Sequence, residues 1–219
     1  MSTIPTPSTI VTPTFVPSAA AHAPPMAPEI HRFTVEEYFR LFESGFLKET
    51  DRVELIEGII CEMMTPIGTQ HGVVVEYTRK VWDRLGLERY SVWSQQSITT
   101  HDSAPQPDVY IARGDHSEYE DHHPNPAELA LVVEVADTSL RFDRTEKQRL
   151  YASAGVIEYW IVNLPDHVLE IYRNPLPASG ENPARYAVVE TFTADQTIDL
   201  MLDGRKVGSV PVRKMLPKR

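Results

Sequence analysis

The 219-residue chain has one cysteine, Cys61, so no intramolecular disulfide can staple it, and a lone thiol suits a reducing compartment. Long apolar runs are missing too. Nothing approaches the roughly 18 consecutive apolar residues of a membrane span. The amino terminus has neither the basic stretch nor the continuous apolar segment of a secretory leader. A cytoplasmic protein that does not engage membranes is the expectation. Positive charge is scarce: 21 Lys and Arg stand against 31 Asp and Glu, a formal net charge of −10. Phosphate contacts call for a basic face, so tight, nonspecific binding of nucleic acid is disfavoured, whereas a local basic cleft beside metal ions is not.

Charged side chains are wholly absent from residues 1–28, which are rich in Pro, Ser, Thr and Ala. Such a segment cannot bury enough apolar area to offset its ordering entropy, and it reads as a passive, disordered tail. Residues 29–219, in a chain of 42% hydrophobic content, suffice for one domain with one sizeable core.

From Thr34 the pattern becomes that of a folded chain. Thr34 and Glu37 form a capping-box signature ahead of the stripe Val35, Tyr38, Phe39, Leu41 and Phe42, which ends near Gly45. Residues 52–57 and 59–64 read as strands meeting at Gly58 in a tight hairpin. A second helix is expected over 70–85, with Val74, Tyr77, Val81 and Leu85 inward, Gly86 as its stop and His71 in its first turn. Residues 90–99 and the run from Pro107 read as an antiparallel pair of strands. The polar insertion 114–126 holds His116, His122 and His123 without metal-ligand spacing and reads as a solvated loop. Later runs at 157–162, 168–172, 186–191 and 197–202 add strands. The fold class is therefore α/β, an α+β arrangement around a mixed sheet.

The chemistry concentrates between Pro107 and Tyr159. Leu129-Ala130-Leu131-Val132-Val133-Glu134-Val135-Ala136 is apolar enough to be a strand covered on both faces, so Glu134 sits where a carboxylate is costly without a partner. Alternation puts it on the face of Val132 and Ala136, opposite Leu131, Val133 and Val135. If Asp108 lies on the neighbouring strand, two carboxylates can converge on one divalent ion. After a polar break comes a helix that Asp143 can cap and Gly155 can end. Lys147, Leu150, Tyr151 and Ala154 share its inward face, so the Lys147 amine can reach back to the acids. The residues alone leave a second arrangement open, in which Asp108 caps a turn and Lys147 forms buried ion pairs with Glu134 and Asp143.

Pro-Asp, then an apolar strand ending in Val-Glu-Val, then Ser, Asp and Lys leading into Tyr-Ala-x-x-Gly-Val-x-Glu-Tyr-Trp-Ile-Val, resembles the Uma-two family of restriction-endonuclease-like proteins. That family is a branch of the PD-(D/E)XK nuclease superfamily. The match is strongest over 107–162 and extends more weakly back through Glu54-Leu55-Ile56-Glu57-Gly58 and His71 to Thr34. The resemblance implies a restriction-endonuclease-like core with flanking helices and an added β-hairpin. It also implies a metal-dependent DNA endonuclease using Mg²⁺ or Mn²⁺, held by Asp108, Glu134 and the Val135 carbonyl, with Lys147 as the catalytic lysine. Glu57 and His71 are accessory candidates on the same basis; the residues alone also leave Glu57 readable as a solvated hairpin acid, and His71 either as a contact to phosphate or the attacking water or as a structural or exposed residue. The usual second motif places lysine two residues after the glutamate, where this chain has Ala136; in the resembling family the lysine is displaced to the following helix. A homodimer would suit cutting two strands. The alternative function is a catalytically inactive nuclease fold acting as a nucleic-acid-binding or dimeric interaction module.

Overall fold

The computed structural model describes residues 30–63 and 69–218. The reading of residues 1–28 as a tail therefore falls outside the described residues. Helix α1 (Val35–Glu43) carries the reciprocal cap that Thr34 and Glu37 announce: each side chain accepts from the other's backbone N–H. Strands β1 (Val53–Ile56) and β2 (Ile59–Glu62) form the expected hairpin. Its turn is Glu57-Gly58, with φ of 48° and 76°, the two left-handed residues of a type I′ connection. The second strand was expected to reach Met64, which lies outside the described residues, but β2 stops at Glu62.

Helix α2 (Gln70–Asp83) buries Val74, Val75, Thr78 and Trp82; of the expected stripe Val74 is buried and Val81 and Leu85 pack against the same core, and Tyr77 is the one residue misplaced. Tyr77 is 37% exposed, because the larger ring of Trp82 takes the interior and meets Trp160 edge-on, centroids 6.0 Å apart. Strands β3 (Tyr90–Ser94) and β4 (Val109–Arg113) are antiparallel, as expected. However, β3 ends five residues early: Gln95 takes φ 52° and its N–H is shared between the carbonyls of Pro107 and Asp108. The polar insertion contains only a short 3-10 turn, His116–Tyr119.

Strand β5 (Leu129–Ala136) is buried along its whole length. A helical stretch in three consecutive segments, Leu140–Phe142, Asp143–Lys147 and Gln148–Ser153, is here called α3. Then come β6 (Glu158–Asn163), β7 (Val168–Leu176), β8 (Arg185–Thr193), β9 (Thr197–Leu202) and β10 (Arg205–Pro211). The main sheet runs β3-β4-β5-β6-β7-β8, and its one parallel pair is β5 with β6. A parallel pair needs a crossover, and α3 is that crossover.

The two faces of the sheet bury different cores. Leu131, Val133 and Val135 pack with α2 and the β9–β10 hairpin, while Val132 and Ala136 pack on the other side with Leu150 and Tyr151 of α3. This is the partition that alternation predicts for β5. A smaller cluster of Tyr38, Leu55 and Ala104 joins α1 to the first hairpin. Among the described residues no helix is long and apolar enough to cross a membrane.

Candidate active site

Antiparallel register aligns Val109 with Val133, which brings Asp108, just before β4, opposite Glu134. The Asp108 N–H donates to Glu134 Oε2 at 3.3 Å. In return, the Val135 N–H donates to Asp108 Oδ2 at 2.8 Å, and His71 Nε2 lies 3.1 Å from the same oxygen. Two acids and the first turn of α2 thus meet at one end of the sheet.

Lys147 arrives from α3. Its Nζ donates to Glu134 Oε1 at 3.0 Å and to Glu54 Oε2 at 2.9 Å, and Tyr151 completes the Glu134 shell through its hydroxyl at 2.7 Å. The inward stripe is as expected, but the helix start is not. It begins at Leu140, and Asp143 does not cap it: Asp143 is buried inside the stretch, accepting from the Ser139 hydroxyl at 2.6 Å. At this point the helix widens, with the Gln148 N–H reaching back five residues to the Asp143 carbonyl. Such widened turns recur at functional sites, and this one carries the lysine. Among the described residues Lys147 pairs with Glu54 and Glu134, not with Asp143.

Glu54, on β1, is the participant that the sequence reading takes for an ordinary residue. It is 4% exposed, and besides Lys147 it accepts from the Gln106 N–H at 3.3 Å. The signal was present, since a carboxylate inside Val-Glu-Leu-Ile is as costly to bury as Glu134. Glu57, three residues on, goes elsewhere: it sits on the hairpin turn, 38% exposed, paired with Arg149 at 2.6 Å. The Val135 side chain enters the opposite core, so this residue meets the cluster through its backbone. In the 114–126 insertion, His122 faces Glu128 at 3.2 Å. Among the described residues, no three His, Cys, Asp or Glu side chains are grouped so as to hold a metal ion by themselves.

The cluster opens on a cavity of about 550 Å³ lined by Glu54, His71, Asp108, Glu134, Asp143 and Lys147, among others. Burial pushes the Glu134 carboxyl up to about 8; the Lys147 ammonium opposes this, and the neighbouring acids reinforce it. Burial likewise raises Asp143 to about 6, again against Lys147. For Lys147 itself burial disfavours the charge, but Glu134, Glu54 and Asp143 outweigh it and hold the ammonium protonated. His71 is raised as well: desolvation works against its charge, and the bond to Asp108 prevails. The cluster is short of positive charge.

A mixed sheet whose one parallel pair is joined by a crossover helix is the fold of a restriction-endonuclease-like protein, and the acids and the lysine meet at one end of its β4 and β5 strands. The fold agrees with a solved structure, that of "a putative nuclease belonging to DUF820 from Anabaena variabilis". The TM-score is 0.61 at 15% identity, covering 84% of this chain and 97% of that one. Residues 35–206 match the Uma2 family, described as "Putative restriction endonuclease", and the chain belongs to that family. A comparison with curated proteins found no match.

Proposed function

We propose that the protein is a metal-dependent DNA endonuclease that hydrolyses phosphodiester bonds at the Asp108–Glu134–Lys147 cluster. The observation that supports this reading is the charge imbalance: Glu54, Asp108, Glu134 and Asp143 line one open cavity with a single ammonium, which reaches Glu54 and Glu134, while Asp108 meets His71. The donor set is made of oxygen, as Mg²⁺ and Mn²⁺ prefer. Mg²⁺ in particular is commonly held by one or two carboxylates plus water and substrate phosphate, so two acids suffice. Among the described residues no hydrogen bond falls on Asp108 Oδ1, which keeps that oxygen available.

In this reading Asp108, Glu134 and the Val135 carbonyl hold the ion. When bound, it would supply Lewis-acid stabilisation of the phosphate and lower the pKa of a bound water. His71 and the Val135 N–H fix the Asp108 carboxylate, and Tyr151 fixes Glu134. Lys147, kept protonated, offsets phosphate charge and orients the water rather than taking its proton. Pairing of two chains would place two such sites on the two strands of a duplex.

The test combines calorimetric titration of Mg²⁺ and Mn²⁺ with cleavage of plasmid DNA, using the wild type and Asp108→Ala/Glu134→Ala, with circular dichroism as the folding control. Binding and cleavage are expected in the wild type and lost in a folded double variant. Cleavage retained by the variant would overturn the site assignment. A wild type that neither binds an ion nor cuts DNA would leave a closed ion-pair cluster in a binding or interaction module.

A further inference from the structure

A second cavity, of about 280 Å³, lies beside the first along β3 and β4, and it is aromatic where the first is acidic. Trp93 and Tyr110 are register partners across the two strands, with rings 10° from parallel and centroids 6.1 Å apart. Tyr119 stands edge-on to Trp93 at 5.9 Å, and His122 tilts against Tyr119 at 5.4 Å. All four line the cavity.

Tyr110 carries the further observation. It is fully buried, and its hydroxyl has no hydrogen-bond partner among the described residues. A buried hydroxyl left unpaired costs stability that phenylalanine would not, and of the three buried side-chain polar atoms left unpaired among the described residues, on Thr78, Trp82 and Tyr110, only that of Tyr110 belongs to a residue lining this cavity. The position is equally pointed. Tyr110 follows Asp108 by two residues, about 7 Å along an extended strand. Gln95 lines the acidic cavity and Gln96 the aromatic one.

We infer that the aromatic cavity receives one nucleobase of the strand whose phosphodiester lies at the acid cluster, the ring stacking on the aromatic side chains and a polar edge meeting the Tyr110 hydroxyl. The inference rests on the nuclease reading and narrows it. Every base offers a π-face for stacking and donors or acceptors on its edge. Glu120 also lines the cavity and can accept from an exocyclic amino group, favouring adenine, cytosine and guanine over thymine. Its charge repels phosphate, so the base rather than the backbone enters. A base in this cavity is out of its stack, and the substrate is therefore single-stranded or has an extrahelical base. Aromatic rings beside acids also suit a quaternary ammonium, but that ligand would leave the Tyr110 hydroxyl unpaired.

The experiment is titration of adenosine, cytidine, guanosine, thymidine and choline chloride into the full-length protein in EDTA. It is read by Trp fluorescence and calorimetry, on the wild type, Tyr110→Phe, Trp93→Phe and Asp108→Asn. Saturable binding of an amino-bearing nucleoside is expected, weakened at least tenfold by Tyr110→Phe, whose melting temperature stays equal to or above that of the wild type. Trp93→Phe should remove the fluorescence response, since Trp82 and Trp160 are fully buried. Asp108→Asn should bind nucleoside as the wild type does while failing to cleave, which separates this inference from the nuclease reading. Absence of nucleoside binding with cleavage intact, wild-type affinity in Tyr110→Phe, or a preference for choline would each overturn it.

Discussion

Lys147 holds together a group of acids that cannot all be charged around one ammonium. Burial keeps protons on Asp143, at about 6, and on Glu134, at about 8, in the folded protein. In the unfolded chain such carboxyls titrate near roughly 4. Between those limits the native state binds more protons, so stability falls as pH rises. His71, also raised, acts in the same direction through its own titration, whereas burial-depressed His123 opposes it. The Lys147 contribution stays intact throughout, because its pKa is raised from a value already above this window. Metal-free protein should therefore melt several degrees lower at pH 8 than at pH 5, and Asp143→Asn should flatten the profile. A flat profile would mean that the acids ionise as they do in the unfolded chain, and a rising one that the folded protein binds fewer protons than the unfolded chain. If Mg²⁺ binds as proposed, it should offset the trend, raising the melting temperature more at pH 8 than at pH 6, because an ion held by Glu134 competes with the proton on that carboxyl.

At the scale of elements, the hairpin β1–β2 and the crossover α3 deliver Glu54 and Lys147 from positions 93 residues apart in the chain. The hairpin depends on Gly58, where φ is 76° and a Cβ would stand 2.5 Å from the Arg32 Cβ. Gly58→Ala should cost roughly 1–3 kcal/mol for the left-handed backbone alone, read as a lower denaturation midpoint. At the neighbouring turn position, Glu57→Asn suits a left-handed residue and should leave cleavage unchanged; a loss of cleavage would return Glu57 to the active site. The turn at Gly58, the β3–β4 pair, the face taken by Glu134 and the inward stripe of Lys147 were all legible, because each depends on local periodicity or one turn residue. What was not legible depended on contacts distant in sequence. The exposure of Tyr77 goes with Trp82 meeting Trp160, and Asp143 is buried in a widened turn that also carries Lys147. The end of β3 at Gln95 follows from a bond to carbonyls twelve residues away or more. Glu54 belongs to neither group, since the burial cost that singled out Glu134 applied to it equally.

For the molecule as a whole, the formal charge of −10 lies entirely beyond residue 28, as do all 21 basic side chains. The family match begins at residue 35, and the acid cluster draws on residues from Glu54 to Tyr151. If the protein binds DNA as proposed, any Lys or Arg contact to phosphate is made by residues 29–219, and removing 1–28 takes none of them away. We expect the chain lacking residues 1–28 to melt at the temperature of the full chain and to cleave with the same salt dependence. Melting curves and cleavage across a potassium chloride series would check both. A large drop in melting temperature would show that this segment packs on the domain despite its composition. An unchanged melting temperature with weaker cleavage would instead give the segment a role in substrate capture that uses no Lys or Arg, since it has none.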